Sequence, residues 1–205
     1  MNSSTHDSLV ILLHGVGASG SDLAPLGDAL RPHLPRTRFA SPDAPGRSEH
    51  GPGGQWFSVA GVTEANRPQR VEAARAEFDR VLNAQINGLG FAGRLGRVAL
   101  VGFSQGSIMA LDALASGRWA PVAIVAFSGR LASPGILAPA AGMRALLIHG
   151  EADPVIPAQE TRQAAARLRE LGVHVETHVL PGLEHSVSAE GIALAGEFLA
   201  RSFAS

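Results

Sequence analysis

Three short runs, Leu9–Leu13, Val98–Val101 and Val122–Phe127, are apolar at every position. A strand without a polar face must be covered on both sides, which is the situation of an inner strand in a parallel sheet sandwiched between helices. Further strand-like runs occur at Arg38–Ala40, Ala145–Ile148 and Val173–Leu180, and Val98–Val101 extends to Phe103. Val173–Leu180 alternates instead, with Val173, Val175, Thr177 and Val179 on one face and His174, Glu176 and His178 on the other. That pattern predicts a strand nearer the sheet edge.

The stretches between these runs carry helical spacing. Asp22–Leu34 places Leu23, Leu26, Ala29, Leu30 and Leu34 on one stripe, with Ser21 as the predicted cap. Arg67–Leu89 opens on Pro68, Pro157–Leu171 stops at Gly172, and Ser188–Ser202 ends the chain's regular structure. Strand and helix thus alternate along the chain, which predicts the α/β class with a mostly parallel central sheet flanked by helices. Residues 1–7 read as a flexible N-terminal tail and 8–205 as a single domain. Pro42–Gly54, rich in Pro and Gly and without periodicity, reads as a long surface loop.

Composition narrows the partners. The 17 basic residues are all Arg and face 18 acidic ones, for a net charge of −1, so no broad basic field is available for nucleic acid or an anionic membrane. A small-molecule or protein partner is expected, and a homodimer is compatible with that charge. With no Cys, the chain has no disulfide, thiolate metal site or cysteine nucleophile. Met1–Asp7 lacks the basic segment of a secretory signal, and no apolar run reaches the ~20 residues of a bilayer span, so the expected location is cytoplasmic.

One motif carries chemistry. Gly102-Phe103-Ser104-Gln105-Gly106 is a G-x-S-x-G sequence, placed just after a buried-type strand and just before a stripe of Ile108, Ala110, Leu111 and Leu114. A strand that turns this sharply into a helix strains its apex residue, and flanking glycines remove the side chains that would block the turn. The pentapeptide alone is a weak signal; the strand and helix around it are the context the mechanism requires. Ser104 is therefore the candidate nucleophile.

A nucleophile elbow expects an acid and then a histidine further along the chain. Asp153 leaves the run Ala145–Ile148 in a loop held out of helix by Pro154 and Pro157, with Glu151 as the neighbouring competitor. Of eight histidines, only His185 lies in a loop between the last strand and the last helix, whereas His14 and His149 each end a strand and precede Gly, where an imidazole often braces a loop. His174, Glu176 and His178 share a strand face, but no third strong ligand can be named, so no metal is expected. After the first strand, the glycine-rich His14–Asp22 segment fits neither a dinucleotide fingerprint nor a P-loop. Its better use is as a donor, the N–H of Val16 joining that of Gln105 at a developing oxyanion, a contribution of about 3 kcal/mol per donor.

His14-Gly-Val-Gly17, Gly102-Phe-Ser-Gln-Gly106, His149-Gly-Glu-Ala-Asp-Pro-Val-Ile-Pro157 and Gly182-Leu-Glu-His-Ser-Val187 together resemble the signature blocks of the phospholipase/carboxylesterase family of α/β-hydrolases. That family includes acyl-protein thioesterases and small bacterial carboxylesterases. The resemblance implies the α/β-hydrolase fold, a Ser104–His185–Asp153 triad, Val16 and Gln105 as the oxyanion hole, and no cofactor. It also implies that Trp56 and Phe57 line the substrate pocket, where Val155 and Leu183 are expected beside the acid and the base. The expected reaction is hydrolysis of a carboxylic ester through an acyl-enzyme. One alternative is thioesterase or lysophospholipase action on long acyl chains, and the other is an idle hydrolase fold used as a receptor. So little chain is left over that no cap domain is expected, and the site should be shallow and bounded mainly by Pro42–Trp56.

Overall fold

The computed structural model describes residues 6–205. Six strands form one sheet: β1 (Ser8–Leu13), β2 (Thr37–Ala40), β5 (Val98–Phe103), β6 (Ala123–Phe127), β7 (Arg144–Gly150) and β8 (His174–Leu180). Their order is β2-β1-β5-β6-β7-β8 and every pairing is parallel. The three fully apolar runs are the three consecutive inner strands β1, β5 and β6, and the alternating run is the edge strand β8.

Helices cover both faces. On one side α2 (Arg67–Gly88), α3 (Gln105–Ala115) and α4 (Ala158–Glu170) pack over Leu9, Ile11, Leu13, Leu100, Ala126 and Leu147. On the other side α1 (Ala24–Leu30) and α5 (Ala189–Ala204) cover Val10, Leu12, Val101, Val125 and Ile148. Alternate residues of each strand feed opposite cores, so each inner strand must be apolar throughout. This is the α/β-hydrolase architecture, with no separate cap domain.

Several local expectations are corrected. The predicted helix Asp22–Leu34 is three short pieces: 3-10 turns at Gly20–Leu23 and Arg31–His33 flank α1. Pro25 and Pro32 each open a new segment, because proline lacks the N–H that would continue the preceding turn. Ser19, not Ser21, caps the first piece, its N–H bonding the Asp22 carboxylate at 2.8 Å. Within Pro42–Gly54 and the residue after it, β3 (Gly46–Arg47) and β4 (Gly54–Gln55) form a small antiparallel hairpin. Of the expected tail, residues 1–5 lie outside the described residues, while Asp7 is held by Arg36 at 2.7 Å.

One polar contact anchors the α2 and α3 layer. Asp112 on α3 is fully buried and accepts two hydrogen bonds from Arg75 of α2, at 2.8 and 3.0 Å. Arg118 also reaches Asp112, at 3.4 Å, so Asp112→Ala removes the buried acceptor of two guanidinium groups; a destabilisation of about 3 kcal/mol is expected, because Arg75 keeps part of its hydration and its contact with Glu72 at 3.5 Å. Urea unfolding monitored by circular dichroism measures it; a change below 1 kcal/mol would show that the pair contributes only as a surface bridge does.

Candidate active site

Strand β5 passes into α3 through Ser104, whose backbone sits at φ 52°, ψ −115°. A side chain at positive φ is strained, and such strain persists only where neighbouring structure enforces it. Here the Ser104 N–H donates to the Phe127 carbonyl of β6 at 2.9 Å, and the Ser104 carbonyl accepts from Ile108 at 3.1 Å. The flanking glycines are required by close approach. A Cβ on Gly102 would lie 2.4 Å from the Ser107 nitrogen, and one on Gly106 would lie 2.0 Å from the Leu13 carbonyl oxygen. The turn therefore lifts the Ser104 hydroxyl above the carboxyl ends of the strands, where open α/β sheets place their ligands.

Loops from β7 and β8 bring the other two groups. His185 Nε2 lies 3.0 Å from Ser104 Oγ, and His185 Nδ1 lies 2.7 Å from Asp153 Oδ2. A carboxylate only accepts, so Nδ1 carries the proton and Nε2 offers its lone pair to the serine hydroxyl. The other carboxylate oxygen of Asp153 accepts the N–H groups of Val155 and Ile156 at 2.8 and 2.9 Å. Burial alone would raise the Asp153 pKa, but the bonds from His185, Ile156 and Val155 outweigh it and hold it below the usual carboxylate range. The competitor Glu151 has its side chain exposed. Gly150 lets the two loops meet, since a Cβ there would sit 2.2 Å from the Leu183 carbonyl oxygen, which accepts the Ala152 N–H.

The turn after β1 faces the same point. A Cβ on Gly15 would touch the Ser104 Cβ at 3.3 Å, which sets Val16 beside the serine. Among the described residues, the Val16 and Gln105 N–H groups have no hydrogen-bond partner. Gln105 heads α3, where the first N–H groups are free by construction and the helix dipole favours negative charge. The turn is braced from behind by the hairpin loop: the Gly17 N–H donates to the Gly54 carbonyl at 2.9 Å, the Gly54 N–H donates to the Ala18 carbonyl at 2.8 Å, and Asp43 accepts the Gly20 N–H at 2.7 Å.

The expected pocket residues Trp56, Phe57, Val155 and Leu183 do not line the cavity beside His185, although Trp56 and Phe57 line a separate one with Pro45 and Ala74. Trp56 and Phe57 are buried in the core below the site: the Trp56 indole N–H donates to the His14 carbonyl, and the Gln105 side chain clamps the backbone of both residues. Val155 is 61% exposed, and Leu183 packs into the α1 and α5 core. A cavity of about 480 Å³ opens instead beside His185, walled by Val16, Leu23, Leu26, Phe103, Val187 and Ile192. No residue of Pro42–Trp56 lines it, so that loop supports the site from behind and does not bound the cavity.

His14 and His149 do brace loops. His14 Nε2 accepts the Ala44 N–H, and His149 contacts Thr161 and Ile156. Burial lowers the His149 pKa more than its neighbours raise it, so the ring is neutral when folded. Below about pH 6.5 the unfolded chain binds a proton that folded His149 refuses, and stability falls with acidification. Asp153 adds its loss only further down, as pH drops through its lowered folded value. The thermal midpoint is expected to fall between pH 7.5 and 5.5, and less steeply in His149→Phe; equal slopes would remove His149 as a source. Among the described residues no three His, Asp or Glu converge as metal ligands, and Glu176 is paired with Arg201 at 3.0 Å. No helix there is long and apolar enough to cross a membrane.

The fold and this serine at its elbow define a carboxylesterase-type α/β-hydrolase. A family model described as phospholipase/carboxylesterase matches residues 1–203, and the chain belongs to that family. It is similar to the esterase YpfH of Escherichia coli K12, at 32% identity over 93% of this chain and 81% of that one. It is also similar to acyl-protein thioesterase 1 of Neurospora crassa, at 27% identity over 95% and 86% of the two chains. The crystal structure of esterase PE8 superposes with a TM-score of 0.84 at 33% identity, covering 96% of this chain and 93% of that one.

Proposed function

We propose that the protein hydrolyses carboxylic esters of small apolar acids or alcohols through an acyl-enzyme on Ser104. The observation that carries this reading is the continuous line Ser104–His185–Asp153, with separations of 3.0 and 2.7 Å. Ser104 Oγ attacks the ester carbonyl while His185 Nε2 takes its proton, and the proton then passes to the leaving alcohol. Asp153 holds the imidazole in the tautomer that can accept, and steadies its positive charge. The free N–H groups of Val16 and Gln105 meet the oxyanion. Water, activated by the same imidazole, then releases the acid.

The apolar groove argues for an ester over a fully polar substrate, and its volume of about 480 Å³ falls in the range of small-molecule sites. A fluorophosphonate probe is expected to label Ser104 alone, mapped by peptide mass spectrometry. Labelling elsewhere, or none, would overturn the assignment. With p-nitrophenyl esters from acetate to hexanoate, kcat/KM is expected to climb about fourfold per methylene as each enters the groove, and then to level. A climb that continues to palmitate would favour the long-chain thioesterase or lysophospholipase reading.

A further inference from the structure

A second imidazole lies behind the acid. His149 closes β7, is 1% exposed, and its Nε2 approaches the Ile156 carbonyl at 2.7 Å and Asp153 Oδ2 at 3.2 Å. Its Nδ1 lies 2.7 Å from the hydroxyl of Thr161, a buried residue in the first turns of α4. The reaction described above uses neither side chain.

Hydrogen-bond chemistry orders this group. The Ile156 carbonyl can only accept, so Nε2 carries the proton and donates to it. Nδ1 of the neutral ring then has a lone pair, and the Thr161 hydroxyl supplies the proton. The same hydroxyl lies 3.3 Å from the Gly129 carbonyl, a longer and weaker alternative. The Ile156 carbonyl therefore fixes the tautomer of His149, as Asp153 fixes that of His185, and the Thr161 hydroxyl satisfies the lone pair that this tautomer presents.

Two consequences converge on Asp153. The His149 bond anchors Ile156, whose own N–H holds Asp153 Oδ1 at 2.9 Å. The positive end of the Nε2–H dipole also lies against Oδ2, the oxygen that receives His185. A carboxylate held at both oxygens cannot rotate away when the imidazole gains charge, which is the rigidity a catalytic group needs from its surroundings.

We infer that His149 and Thr161 are positioning residues for the reaction, setting the angle at which Asp153 meets His185. This inference rests on the assignment of Ser104, His185 and Asp153 above. Thr161→Val keeps shape but removes the hydroxyl, and it is expected to lower kcat for p-nitrophenyl butyrate about tenfold, equivalent to one ordinary hydrogen bond, with KM within twofold. Thr161→Ser, which restores the hydroxyl, is expected to recover most of the rate. The downfield proton resonance of the His185–Asp153 hydrogen bond should move in Thr161→Val and in His149→Phe, and remain in place in Thr161→Ser.

Wild-type kcat in Thr161→Val would overturn the inference. So would an equal loss in the serine and valine variants with the resonance unmoved, since that pattern belongs to a packing role. Failure of the underlying assignment is separable, because it would show in the wild-type protein as absent fluorophosphonate labelling at Ser104.

Discussion

Ser104→Ala is expected to lower kcat for p-nitrophenyl acetate by about 10⁶-fold, the loss measured when the serine of a comparable three-residue unit is removed. The reason is that His185 and Asp153 have no other client: their alignment ends at Ser104 Oγ, 3.0 Å from Nε2. Without that oxygen, the imidazole has no protein nucleophile left to activate. A residual acceleration over solvent remains from the free N–H groups of Val16 and Gln105 and from binding. Alanine inherits the backbone at φ 52° with the same Cβ, so stability should barely change. Equal thermal midpoints with a rate loss of that size would separate chemistry from folding; retention of activity within tenfold would refute the nucleophile.

Much of this is legible in the sequence. Leu9–Leu13 and Val98–Val101 could only be inner strands, because an all-apolar strand has no face to give to water. The elbow was legible because its glycines are demanded by contacts within a few residues, Gly106 against Leu13 being the exception that crosses to a neighbouring strand. Chain order singles out His185 as the candidate, since in a parallel sheet a loop after the last strand emerges on the same edge as the elbow. The carboxylate at Asp153 was favoured over Glu151 by the prolines around it, and the structure turns Glu151 outward.

The pocket was not legible, for a physical reason. Its walls come from Val16, Leu23, Leu26, Phe103, Val187 and Ile192, on segments far apart in the chain, and no local pattern marks such a set. Leu23 and Leu26 belong to a helical stripe that reads equally well as core. The place of Trp56 and Phe57 in the pocket is implied only by the resemblance, and a large ring close to a site is as useful underneath it, where Trp56 meets Phe78 edge-on at 5.3 Å. The hairpin of β3 and β4 left no periodic trace because each strand has two residues, and its tie to Gly17 and Ala18 joins segments more than thirty residues apart. Pro25 and Pro32 are the local signal of the broken first helix, which a reading by apolar spacing alone does not register.

Asp153→Asn is expected to lower kcat/KM by about 10⁴-fold, the scale on which a triad loses activity when its acid becomes an amide. The geometry dictates which way the amide must face. The N–H groups of Val155 and Ile156 both point at Oδ1 and need an acceptor, so the asparagine oxygen must occupy that position. Its NH₂ group then replaces Oδ2, 2.7 Å from His185 Nδ1 and 3.2 Å from His149 Nε2. Donor now faces donor on the His149 side. On the other side, His185 can relieve the clash only by giving Nδ1 the lone pair, which moves its proton to Nε2. In that tautomer Nε2 cannot accept the proton of Ser104, so the loss falls on kcat while ester binding in the groove is retained. Steady-state kinetics with p-nitrophenyl butyrate, alongside the downfield proton spectrum, test both halves. The resonance of the His185 hydrogen bond should vanish, and KM should change by less than about threefold. A variant with near wild-type turnover would mean that Asp153 is a turn residue and that the acid lies elsewhere.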